Sequence, residues 1–185
     1  MRNIIITRSF IFLNRKIRRL LLLLVTIFLC VRMMGETIIP DSISNPICTG
    51  FHPDPSICRV GEDYYLVTSS FTWFPGLPIY HSRDLTNWSL IGHALTNPKA
   101  IDFNGMTDND GIWAPTLRYH NGTFYLITTA HGCGGNFYMT AKNPAGPWSD
   151  PVWLKDAPGI DPSLFFDMDG RCYYTGNRWD FKSAW

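Results

Sequence analysis

Three stretches of the chain share one pattern of apolar and polar positions. They are DPSICRVGEDYYLVTSS from Asp54, APTLRYHNGTFYLITTA from Ala114 and DPSLFFDMDGRCYYTGN from Asp161. In each, a short apolar-leaning run meets a turn: Val60-Gly61-Glu62-Asp63, His120-Asn121-Gly122-Thr123 and Asp167-Met168-Asp169-Gly170. A second run rich in Tyr, Phe, Leu, Val and Thr follows. Asn-Gly and Asp-Gly between β-prone runs signal hairpins, because tight hairpin turns need positive φ at their centre. The copies start 60 and then 47 residues apart, a period that suits one four-stranded propeller blade with insertions. After the first two hairpins, Ile79–Trp88 and Phe137–Trp148 each give an aromatic strand, a polar turn and a Trp that begins an outer strand. Thr96–Gly111 is a longer Asn/Asp-rich connection. No segment from residue 45 on sustains a 3.6-residue period, and 13 prolines and 15 glycines punctuate short strands. The expected fold class is all-β: a partial propeller of two complete blades and a third that stops after its second strand. A closed ring buries each sheet between two neighbours, so the chain reads as truncated.

Residues 1–35 are a different kind of sequence. They hold seven basic residues (Arg2, Arg8, Arg15, Lys16, Arg18, Arg19, Arg32), no acid, and the 12-residue apolar-leaning run Leu20–Val31. That run is short for a membrane-spanning helix and fits a secretory signal with a long basic n-region. The alternatives are an uncleaved anchor, if Ile4–Leu13 adds to the apolar length, or an upstream extension of a chain that truly starts at Met33 or Met34. Leu29 before Cys30 is too large for a lipoprotein signal. The expected location is secreted or periplasmic, or cytoplasmic if Met33 or Met34 is the start; any membrane attachment would run through this segment alone.

Setting that leader aside changes the charge. Nine of the 16 Lys/Arg remain against all 15 Asp/Glu, a net of −6, so the formal +1 belongs to the leader. An acidic body argues against nucleic acid, whose binders need a basic footprint. Aromatics make up 15% of the chain, serving either blade packing or stacking on sugar rings. The five cysteines (Cys30, Cys48, Cys58, Cys133, Cys172) include no Cys-x-x-Cys pair, which argues against a zinc or redox site. They are expected to be small buried hydrophobes.

The repeat also carries candidate chemistry. The first strand of a blade runs beside the propeller axis, so Asp54 and Asp161, at one repeat position, are expected to converge on a single funnel. Two carboxylates in an aromatic-lined funnel are the minimum of a glycosidase site. The competing explanation is a turn cap, with each carboxylate accepting backbone N–H bonds. Ala114 holds the same position in the second copy, so the fold itself does not demand Asp there. Trp113 precedes it and places an indole at the funnel mouth, for stacking on a sugar face or packing against the next blade. In Phe71-Thr72-Trp73-Phe74-Pro75-Gly76, Trp73 and Phe74 are candidates for a sugar pocket, one pointing inward and one outward. His52 is a candidate for the lining of the same pocket.

Taken together, Asn45-Pro46, Thr49–Ile57, Trp73-Phe74-Pro75-Gly76, His81–Trp88, Gly111–Pro115 and Gly159–Leu164 resemble glycoside hydrolase family 43, within it the β-xylosidase and α-L-arabinofuranosidase branch. The resemblance covers nearly all of residues 45–185, which it makes a partial catalytic domain following the 1–35 leader. It implies a five-bladed β-propeller, here about two and a half blades, acting by inversion on xylan- or arabinoxylan-derived oligosaccharides. It further implies Asp54 as the general base and Asp161 as the residue that raises and orients the acid. The family's general acid is a Glu on the following blade, whereas the only glutamates here are Glu36 and Glu62, neither in that motif. The chain alone is therefore expected to be inactive. No cofactor or metal site is expected from these residues; calcium belongs to the complete enzyme, with its ligands outside this chain. Other expectations are a retaining fructan- or sucrose-acting propeller, a non-catalytic carbohydrate-binding propeller, and a degenerate gene fragment.

Overall fold

Turn chemistry sets the framework. At Asn121-Gly122 both residues have positive φ (46° and 74°), which matches the right-handed twist of the strands it joins. The hairpin closes His120 onto Thr123, and Gly61 (φ 63°) does the same where Val60 meets Asp63. In the computed structural model, residues 17, 19–26 and 42–177 are described. The chain divides into two units, residues 1–38 and 39–185. In the first, residues 19–26 are helical with exposed side chains, and no helix among the described residues is long and apolar enough to cross a membrane. Most of the leader, with Cys30 and Glu36, lies outside the described residues.

The second unit is all-β. β1 (Ser56–Val60), β2 (Asp63–Val67), β3 (Gly76–Ser82) and β4 (Ser89–Leu95) form one antiparallel sheet in chain order. β5 (Gly111–His120), β6 (Thr123–His131), β7 (Gly135–Ala141) and β8 (Val152–Trp153) form the second. β9 (Ile160–Phe166) and β10 (Cys172–Asn177) pair alone as a third. The strand alternation points Leu77, Ile79 and Leu95 of the first sheet and Ile112, Leu117, Leu126 and Phe137 of the second into one core, each at most 1% exposed.

Specific polar contacts lock the sheets to one another. Ser56 Oγ accepts the Leu117 N–H (3.1 Å), and the Arg118 guanidinium donates to the Leu164 carbonyl (3.1 Å) and Ser163 Oγ (2.9 Å). The serine of the repeated triplet is thus an interface residue in both the first and third copies. Phe166 stacks flat on His120 with ring centroids 4.5 Å apart. Gly92 is required by close approach, since a Cβ there would meet the Ala145 carbonyl oxygen at 2.7 Å.

Two expectations need correction. The outer strand of the second sheet does not begin at Trp148: it is only Val152–Trp153, because Pro147 and Pro151 lack the N–H a ladder needs. Instead Trp148 turns its indole N–H back onto the Pro144 carbonyl (3.0 Å). Of the four described cysteines, only Cys58 is buried. Cys172 is exposed because it opens β10, beyond which no strand pairs among the described residues; all four are free thiols.

Candidate active site

The repeated position has one backbone conformation in all three copies. Asp54, Ala114 and Asp161 sit at φ 51°, 38° and 54°, in the left-handed region that costs a non-glycine residue of order 1–3 kcal/mol. Each also precedes a proline, which biases its predecessor toward extended geometry. Such strain persists only where surrounding bonds fix it. At Ala114, which has no polar side chain to help, the fixing bond is its N–H to Ser69 Oγ (2.7 Å).

The same hydroxyl donates to Asp54 Oδ2 at 2.6 Å, and Ser69 N–H binds the Pro53 carbonyl (3.0 Å). Asp54 therefore answers to a side chain two residues beyond the end of β2 rather than capping its own turn. Asp161 is exposed, yet its carboxyl is pushed above the usual aspartate range. Partial loss of hydration is the larger cause, and the charge of Asp54 is the second. The charge of Asp54 thus bears on Asp161, although the two stand in different sheets.

Beside Asp54 opens a cavity of about 330 Å³, lined among others by Phe51, His52, Ser69, Phe71, Trp73 and Tyr80. His52 Nε2 donates to the Thr49 carbonyl (3.1 Å), which leaves Nδ1 facing the Tyr80 hydroxyl at 3.5 Å. Burial raises the Tyr80 hydroxyl above its ordinary value and lowers His93, also in this wall. Trp73 stands at the rim, 69% exposed. Its neighbour Phe74 lines a separate cavity of about 270 Å³ with Ile101 and Phe103. The two adjacent aromatics therefore serve different surfaces.

Trp113 lies flat against His131, with ring centroids 3.8 Å apart and planes within 6°. Its indole N–H donates to the Asn109 carbonyl (2.8 Å), and His131 Nδ1 meets Asp110 Oδ1 at 3.0 Å. Hydrogen bonds from Thr107 hold Asp110 below the usual carboxylate range. One face and the polar edge of Trp113 are therefore occupied.

Sequence reasoning missed Ser69, Phe71 and His131. Phe71 exchanges backbone hydrogen bonds with Ile112 (3.0 Å each way) and rests on Phe51 with centroids 5.9 Å apart. A Cβ on Gly111 would stand 2.3 Å from the Phe71 carbonyl oxygen, which is why glycine opens the Gly-Ile-Trp segment. The available signal was the small polar pair Ser69-Ser70 ending an otherwise apolar strand. Glu62 sits in the β1–β2 turn bound to Arg83 (2.9 Å), at the other end of β1 from Asp54. Among the described residues no three His, Cys, Asp or Glu gather as metal ligands.

Residues 43–184 match the family model for glycosyl hydrolases family 43. The chain belongs to glycosyl hydrolase family 43. Its relatives include a xylosidase/arabinosidase of Butyrivibrio fibrisolvens, 57% identical over 137 residues, covering 73% of this chain and 26% of that protein. A non-reducing end α-L-arabinofuranosidase of Bacteroides ovatus is 53% identical over 160 residues, covering 84% and 29%. The crystal structure of a xylan β-1,4-xylosidase from Bacillus halodurans superimposes with a TM-score of 0.71 at 51% identity, covering 77% of this chain and 28% of that one. The chain thus spans 26–29% of the length of these relatives. In the five-bladed propeller of family 43, β1–β4 and β5–β8 are complete blades and β9–β10 the inner half of a third.

Proposed function

We propose that this chain is the base-bearing part of an inverting glycosidase that releases xylose or arabinofuranose units from xylan- or arabinoxylan-derived oligosaccharides. The observation that carries this is the pair Asp54 and Asp161. One carboxylate is fixed through a single oxygen by Ser69, and the other is coupled to its charge. Asp54 deprotonates the attacking water. Asp161 raises the pKa of the acid and helps to orient it. The aromatic wall of Phe71, Trp73 and Phe51 offers the apolar faces on which a pentose ring stacks. The Butyrivibrio relative is named for both sugars and the Bacteroides relative for arabinofuranose, which supports keeping both in the reading.

Inversion needs an acid across the sugar from the base, with carboxyls about 6.5–9.5 Å apart to admit a water. Glu62 is held by Arg83 in a remote turn, so the acid is supplied from outside the described residues. Loss of general-acid transfer costs about 10²–10⁴-fold, and the 185-residue chain alone is expected to leave aryl xylosides and arabinofuranosides unhydrolysed. A hybrid in which residues 43–184 replace the matched segment of the Bacteroides ovatus enzyme tests the stereochemistry. Proton NMR of its first-formed sugar should show inverted anomeric configuration; retention would contradict the proposal. The basic leader supports export, and fractionation that finds a tagged chain only in the cytoplasm would count against that.

A further inference from the structure

Ser69 is 4% exposed, and every polar atom it has at the funnel is committed. A hydroxyl has one proton. Because the Ala114 N–H occupies a lone pair of Ser69 Oγ (2.7 Å), that proton is left to point at Asp54 Oδ2 (2.6 Å). The backbone beneath is equally fixed, by Ser69 N–H to the Pro53 carbonyl (3.0 Å) and Ser70 N–H to the Ile112 carbonyl (3.2 Å). Among the described residues, Asp54 accepts no second hydrogen bond, so its other oxygen has no protein partner there.

The second blade shows that this is not a generic feature of the repeat. Val67 pairs with Ser56 and Ile127 with Thr116, so two residues further on Ser69 and Thr129 are register equivalents. Thr129 Oγ1 donates to Asn136 Oδ1 (2.6 Å), away from Ala114. Among the described residues, the hydroxyl bridge is present in the blade of Asp54 and not in the blade of Ala114, and Ala114 serves it through its N–H.

We infer that Ser69 is a positioning residue. It relays the fixed backbone of the second blade to Asp54, holds one carboxylate oxygen and so aims the other at the attacking water. This rests on Asp54 being the general base. Hydrogen exchange on the 185-residue chain tests the relay without any turnover. In Ser69→Ala the Ala114 amide should exchange at least about ten-fold faster, since a bond to a charged-group partner is lost. Ser69→Thr, which keeps the hydroxyl, should restore protection, and the Ile112 amide, bound to the Phe71 carbonyl, should not change. Unaltered Ala114 exchange in Ser69→Ala, or failure of Thr to restore it, overturns the relay.

In the Bacteroides hybrid, Ser69→Ala should lower kcat about ten- to a hundred-fold with KM within about two-fold, and Ser69→Thr should recover it. Unchanged kcat in Ser69→Ala beside a collapsed Asp54→Asn overturns the positioning role. Full activity of Asp54→Asn instead overturns the assignment of Asp54 as base, and exchange then judges the relay alone. The exchange result also decides if the unsubstituted hybrid does not turn over.

Discussion

Asp161 carries its negative charge at a cost to the folded state. Lost hydration and the Asp54 charge raise its carboxyl above the ordinary aspartate value, so over that interval the folded chain binds a proton that the unfolded chain has already released. By linkage, stability then falls as pH rises from the ordinary aspartate value through the raised one, and stays lower above it. Asp161→Asn removes the charge and should raise Tm at pH 7 while leaving it nearly unchanged at pH 3. Thermal melts at the two pH values check this; equal shifts at both would contradict it. The position of Asp161 was legible in the sequence because the triplet repeats. Its altered acidity was not, because that depends on a second aspartate 107 residues away.

Elements were legible where local turn chemistry decides them and illegible where approach between sheets does. The β3–β4 connection belongs to the first kind. Asp84 accepts from the Thr86 and Asn87 amides (2.9 and 2.7 Å), the Asn87 side chain (2.7 Å) and Ser82 Oγ (3.0 Å). Those bonds, led by Asn87, hold its carboxyl well below the usual range. Here the sign is opposite to Asp161: the contribution is present above the ordinary aspartate value and is lost as pH falls below it. Asp84→Ala should speed amide exchange at Thr86 and Asn87 by more than about ten-fold, leaving the β1–β2 hairpin alone; a uniform change across both would contradict a local role. Gly111 belongs to the second kind. Nothing nearby in the sequence shows that Phe71 will lie against it. Gly111→Ala combines a φ of 93° with a 2.3 Å contact and should cost at least about 1–3 kcal/mol in denaturant unfolding. A change near zero would mean that the Phe71–Ile112 bridge does not form.

At the scale of the whole molecule, each of the three sheets carries the same left-handed position near the start of its first strand, and the sequence varies what stands there: Asp, Ala, Asp. That much could be read from three aligned segments, as could the antiparallel sheets. Ser69 and Phe71 could not, since each looks like the frayed end of a strand until β5 arrives beside it. His131 likewise acquires meaning only when β6 brings it under Trp113. The acid of the proposed mechanism is assigned to no residue here for a different reason: neither glutamate of the 185 residues stands in the motif that the resemblance implies, and the chain spans little more than a quarter of its relatives. Asp54→Asn in the Bacteroides hybrid, assayed on an aryl arabinofuranoside, tests the central claim most directly. Turnover should fall by at least about 10²-fold with KM little changed; turnover within a few-fold of the unsubstituted hybrid would show that Asp54 is not the base.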